Sequence, residues 1–195
     1  STLRWGSALV ALCLAAPAFA GQDSQLWTTA SATVKLSERW RVSEDITARF
    51  SDDRHGLYEV ESNTLLGYKL NQVVGVWAGY THDPQYSAGH FTVMEHRIRE
   101  QVTFDNVIRL GSGKLSFRLR GEERWRANTD GTGVRLRPYV KYTLPLAKGS
   151  KTALVLSSEP FINLNTTPFQ KQSGLDRVRN LIAINTPLSK KITAE

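Results

Sequence analysis

Residues 114–126 read KLSFRLRGEERWR, and the alternation within them decides the fold. Ser116, Arg118, Arg120, Glu122, Arg124 and Arg126 share one parity; Leu115, Phe117, Leu119, Gly121, Glu123 and Trp125 share the other. A period of two belongs to a β-strand, whose side chains point alternately to opposite faces. No helical period competes, so this strand sets a charged row against an apolar one.

The pattern repeats outward. Residues 134–144 set Arg135, Arg137, Tyr139, Lys141 and Thr143 against Val134, Leu136, Pro138, Val140, Tyr142 and Leu144. Residues 92–104 place Glu95, Arg97, Arg99, Gln101 and Thr103 on one side. Aligned across neighbouring strands, and joined by Glu159, Asn163 and Arg179, these residues make a ladder of Arg, Lys and Glu that can neutralise itself inside a barrel of small bore. The expected lumen lining is therefore Glu95, Arg97, Arg99, Gln101, Arg118, Arg120, Glu122, Arg124, Arg135, Arg137, Lys141, Glu159, Asn163 and Arg179. A ring of arginines reads either as a selectivity lining for a small anionic solute or as a salt-bridged plug filling the bore. A narrow barrel packed with Arg side chains favours the plug.

Strands are expected at residues 26–36, 40–50, 58–70, 73–82, 92–104, 114–126, 134–144, 152–163 and 176–186, with a tenth starting near 192. The connections at 37–39, 71–72, 105–113, 145–151 and 187–191 read as mostly compact turns. Those at 83–91 and 165–175 read as longer polar loops. Alternation of this kind is that of an antiparallel up-and-down transmembrane β-barrel with its short turns periplasmic. Trp27, Trp40, Trp77, Trp125 and Tyr142 are candidates for interfacial girdles, whereas Glu44, Glu100 and Glu123 fall on apolar faces and sit uneasily in that register.

The first 20 residues, STLRWGSALVALCLAAPAFA, combine Arg4, an apolar run and the small-x-small site Ala18-Phe19-Ala20. They read as a secretory signal peptide cleaved before Gly21, leaving residues 21–195 as one barrel domain. Cys13 departs with this leader, and Leu12 before it argues against lipidation. The 195-residue chain carries 25 Lys+Arg against 18 Asp+Glu and a single cysteine, which excludes a disulfide framework or a cysteine-based zinc site. No run reaches the roughly 20 apolar residues of a spanning helix.

Alternation also fits the inverse arrangement, a soluble periplasmic lipocalin-like carrier with its apolar face inward. The leader, the long strands and the Arg-rich faces favour lipid outside.

Further residues resemble a known family. Gln25-Leu26-Trp27-Thr28, the Gly79-Tyr80 pair, the run Glu95-His96-Arg97-Ile98-Arg99-Glu100-Gln101, the Arg135-Leu136-Arg137 strand, the run Glu159-Pro160-Phe161-Ile162-Asn163-Leu164-Asn165 and Asp176 with Arg179 resemble the domain of unknown function 2490 family. The resemblance spans residues 25–195 and implies an outer-membrane β-barrel of Gram-negative bacteria with no assigned activity. It also implies a closing strand ending in an aromatic residue. With the chain running from Ser1 to Glu195, the expectation is a fragment lacking one or two C-terminal strands of a barrel of about 10–12.

Catalytic signals are sparse. Ser87, His55 and Asp52 fall in loops of one end and could form a hydrolytic trio acting on outer-membrane lipid, yet no nucleophile motif accompanies them. No metal-ligand spacing appears, and no cofactor is expected. Residues 111–114, GSGK, lack the full phosphate-loop spacing and read as a hairpin turn. Export and the absence of a recognition motif exclude nucleic acid as a partner. The sequence points to a non-enzymatic outer-membrane barrel, a narrow pore or a structural, loop-presenting one. Its expected partners are outer-membrane lipids and lipopolysaccharide, the barrel-insertion machinery and a small anionic solute.

Overall fold

The computed structural model describes residues 23–189 and 192–195; the leader expected at residues 1–20 lies outside them. Ten antiparallel strands follow one another: β1 (Gln25–Lys35), β2 (Trp40–Ser51), β3 (Gly56–Lys69), β4 (Val74–Ser87), β5 (His90–Leu110), β6 (Gly113–Arg126), β7 (Gly133–Pro145), β8 (Ala153–Asn163), β9 (Gly174–Pro187) and the short β10 (Thr193–Ala194). Each pairs with its sequence neighbours in one sheet ordered β1 to β10, so every connection is a hairpin. No helix among the described residues is long and apolar enough to cross a membrane.

The sheet curls into a half-barrel. The edge strand β1 and the last long strand, β9, come within side-chain reach, for the Arg179 guanidinium of β9 lies 4.5 Å from the centre of the Trp27 ring of β1. Curvature separates the faces. Enclosed on the concave side are Glu59, Glu61, Thr81, Asp83, Glu95, Arg97, Arg99, Glu122, Arg137 and Glu159, all buried. On the convex side Ile46, Leu66, Ile98, Leu119, Leu156, Ile182 and Ile184 are exposed. The charged parity thus forms the interior and the apolar parity the outer wall.

Two expected boundaries are corrected. Residues 83–87, expected in a long loop, continue β4 through Pro84, paired with Met94 of β5, and a register shift at Gln85/Tyr86 absorbs the irregularity. The connection shrinks to Ala88 and Gly89, both left-handed with φ of 49° and 77°, the geometry of a tight two-residue hairpin. β5 likewise passes residue 104, crossing a register shift between Phe104 and Ile108 with Asn106 at φ 54°, and turns only at Gly111. Bulges of this type leave a strand intact while breaking its alternation, and for that reason the pattern hid both extensions. The expected contrast between short and long connections is correspondingly weak.

Aromatic placement also needs correction. Trp40 and Tyr68 pack edge to face on the outer wall, centroids 4.8 Å apart, and Tyr142 and Trp125 share that wall. Trp27 and Trp77 instead face inward: Arg49 stacks on Trp27 at 4.8 Å, and the Trp77 Nε1 donates to Thr103 Oγ1 at 3.3 Å. Gly67 makes room for that ring, because a Cβ there would lie 2.3 Å from it. The outward carboxylate of Glu44 is accommodated by donors beside it, Ser62 Oγ at 2.6 Å and Thr64 Oγ1 at 2.5 Å. Glu100 and Glu123 stay on the outer wall, exposed.

Candidate functional site

Antiparallel registry builds the interior ladder. β5 and β6 pair Glu95 with Arg126, Arg97 with Arg124, Arg99 with Glu122 and Gln101 with Arg120. β6 and β7 pair Arg120 with Arg137 and Glu122 with Arg135; β8 and β9 pair Glu159 with Arg179. Because these side chains project inward at one parity, each carboxylate can reach arginines on two or more strands.

Two hubs result. Glu95 of β5 meets Arg97 Nε at 2.7 Å, Arg124 Nη2 at 2.8 Å and Arg126 Nε at 2.6 Å. Glu122 of β6 meets Arg99 Nε and Arg137 Nη1, each at 2.7 Å. Arg137 continues to Glu159 at 2.8 Å, which also pairs with Arg118. Arg97 extends the network to β3 and β4 through Glu61 at 2.6 Å and through Asp83. A buried charge is tolerated when it is paired and hydrogen-bonded; here arginine forks span several strands. This network lies at mid-height of the strands, the waist of the half-barrel, where Glu95, Arg99 and Glu122 are buried.

Glu59, Glu61 and Asp83 bring carboxylate oxygens within 4.8 Å of one another, as a metal site would require. Arg49 pairs with Glu59, and Arg97 lies among all three. With Arg99 also 3.3 Å from Glu61, guanidinium groups contact all three carboxylates, and the cluster is part of the ion-pair network.

Above the waist, at the end carrying the β2–β3, β4–β5, β6–β7 and β8–β9 connections, the interior widens into a cavity of about 490 Å³. Nine arginines and four carboxylates, Asp23, Asp53, Glu59 and Glu61, line it. Phe161 lies at its wall with guanidinium carbons of Arg135, Arg137, Arg177 and Arg179 at 5.5, 4.3, 4.7 and 5.1 Å from the ring centre. Asp23 at the mouth accepts from Gln25 Nε2 at 2.5 Å and from Ser51 Oγ at 2.9 Å; the Gln25 bond, with further donors from Ser51 and the backbone of residues 52 and 53, holds its carboxyl below the ordinary value.

Over residues 24–195 the sequence matches the family described as Protein of unknown function (DUF2490). The chain belongs to the DUF2490 family. An uncharacterized protein of Methylorubrum extorquens is 26% identical over 175 residues, covering 89% of this chain and 76% of its own. No solved structure matches.

In this DUF2490 chain every residue named for the lumen projects from the inward parity: Glu95, Arg97, Arg99 and Gln101 from β5; Arg118, Arg120, Glu122 and Arg124 from β6; Arg135, Arg137 and Lys141 from β7; Glu159 and Asn163 from β8; Arg179 from β9. Arg120 donates to Gln101 at 2.8 Å and Arg135 to Asn163 at 2.9 Å. Sequence reasoning missed Arg49, Glu59, Glu61 and Asp83. Arg49 and Glu59 alternate with apolar neighbours and Glu61 follows Glu59 at the same parity, so all three are open to the same argument, whereas Asp83 falls in the loop expected at 83–91.

Ser87, His55 and Asp52 share the loop end of this DUF2490 half-barrel. His55 and Asp52 lie in one turn, joined by a backbone hydrogen bond of 3.0 Å, and Ala88 donates to Arg54 across to the neighbouring hairpin. Among the described residues no side-chain hydrogen bond joins the three.

Proposed function

We propose that this protein is an outer-membrane β-barrel, exported by its N-terminal leader, whose interior is closed at the waist by ion pairs and whose loop end is presented at the cell surface. The observation that carries this reading is the sorting of faces: charge enclosed, large apolar side chains turned outward around the curled sheet. In water such a wall is an aggregation hazard; in a bilayer it is the solvent-matched surface. A lipocalin-like carrier requires the opposite sorting.

Dimensions support the same reading. Tyr142 pairs with Leu115 of β6, and Trp125 stands further up that strand. At about 3.3 Å per residue these levels are roughly 33 Å apart along β6, which a barrel tilt of about 45° projects to roughly 23 Å. That is close to the height of about 25 Å of an outer-membrane apolar band. Lipid and lipopolysaccharide would contact this wall, and the barrel-insertion machinery would place it there.

Fractionation of cells followed by heated and unheated gel migration tests the proposal. Recovery in the outer membrane with a heat-dependent shift is expected; a detergent-free periplasmic monomer would overturn it.

A further inference from the structure

We propose that the cavity above the waist is a binding site for a compact polyvalent oxyanion carrying carboxylate or phosphate groups. The inference concerns the interior alone and does not depend on membrane insertion.

Uneven charge compensation carries it. At the waist Glu95 and Glu122 are each shared among two or more arginines at 2.6–2.8 Å. On the β7–β9 wall of the cavity that compensation runs out. Arg135 and Arg177 share Asp176, each at 3.6 Å. Arg179 has Glu159 at 3.9 Å, a carboxylate already held by Arg118 and Arg137. The acids of the opposite wall do not make up the deficit: Glu59 and Glu61 are engaged by Arg49 and Arg97 and Asp23 by Ser51 and Gln25, which leaves Asp53 alone among the lining carboxylates to face nine lining arginines.

The forks of Arg177 and Arg179 are also held in place. Both line the cavity, Arg177 with its guanidinium against Phe161 at 4.7 Å and Arg179 between Trp27 at 4.5 Å and Phe161 at 5.1 Å. Stacking on aromatic rings fixes the fork while leaving its N–H groups unspent. Such forks match carboxylate and phosphate oxygens two at a time. Several of them converging on one cavity of about 490 Å³, a volume ordinary for small-molecule sites, favour an anion with at least two charged groups.

The test is isothermal titration of the folded full-length protein with pyrophosphate and, separately, citrate, at constant ionic strength set with potassium chloride. Saturable one-to-one binding of at least one probe is expected, and the stronger of the two identifies phosphate or carboxylate as the preferred group. Arg177→Gln/Arg179→Gln should weaken it about ten-fold or more, each lost charge-assisted hydrogen bond contributing; Arg41→Gln, against Trp77 at the opposite end, should leave it within about two-fold. Arg177→Gln alone, at an exposed position, serves if the double variant fails to fold. Heat-dependent gel migration of each sample checks the barrel independently. A folded wild type with no saturable binding of either probe, or a folded variant that binds as tightly as wild type, overturns the site.

Discussion

Arg120 of β6 and Arg137 of β7 stand directly opposite each other in register, two buried like charges across one strand pair. Neither pairs with the other's partner by default of distance: Arg120 turns back to Gln101 of β5 at 2.8 Å, and Arg137 reaches diagonally to Glu122 at 2.7 Å and forward to Glu159 at 2.8 Å. Like charges opposite one another are destabilising, so the arrangement relies on Glu122. Glu122→Ala should therefore lower stability by about 3–5 kcal/mol, the cost of leaving buried charge uncompensated. Urea unfolding of the folded protein in detergent, followed by tryptophan fluorescence, measures it. An effect below about 1 kcal/mol would mean that the ladder is loosely hydrated.

On the proposed membrane reading, the same network should also set whether ions pass. With the waist filled by arginine forks from β5, β6 and β7, removing one of them should loosen the plug without opening a path, because its neighbours remain anchored to Glu95, Glu122 and Glu159. Arg120→Ala is expected to reduce unfolding stability while bilayer current stays at the wild-type level. A large rise in current would identify the ladder as a gate.

The outer wall makes a separate prediction. Leu119, 47% exposed on β6, sits between the levels of Tyr142 and Trp125 and would face the acyl chains. In a bilayer Leu119→Arg should cost about 2–4 kcal/mol, whereas on a water-facing wall the change would fall within about 0.5 kcal/mol. Reversible folding into lipid vesicles, titrated with urea, discriminates the two.

How much of this was legible in the sequence follows from where alternation survives. Residues 114–126 keep a period of two that only Glu123 interrupts, and both the strand and its faces are readable from them. Registry then brings Glu122 to Arg99 and Arg137, which no single strand reveals. The pattern breaks at bulges: Asp83 falls in an expected loop although β4 runs on to Ser87, and the strand expected to end at residue 104 runs on to Leu110. Residue type misleads also for Trp27 and Trp77, because an aromatic ring suits an interface and a lumen equally well; only parity relative to Arg49 and Thr103 places them inside. The vestibule depends on Arg177, Arg179 and Phe161 meeting Trp27 across the opening of the curled sheet, a proximity set by curvature, which a pattern along the chain does not encode.

Two glycines on opposite faces of the sheet should respond with opposite signs. At Gly67 on β3 an added Cβ would lie 2.3 Å from the Trp77 ring, whereas at Gly121 on β6 nothing lies within 4 Å. Trp77 is fixed by its bond to Thr103 and by Arg41 stacked at 5.9 Å, so the ring can yield only by disturbing both. Gly67→Ala should cost about 1–3 kcal/mol as an overpacked interior site. Gly121→Ala faces open space with an ordinary strand φ, and restricting the unfolded chain should stabilise it by about 0.4–1 kcal/mol. Paired urea titrations of the two variants provide the measurement. Equal effects would mean that Trp77 does not occupy the space over Gly67, and with it would fall the inward placement of that ring.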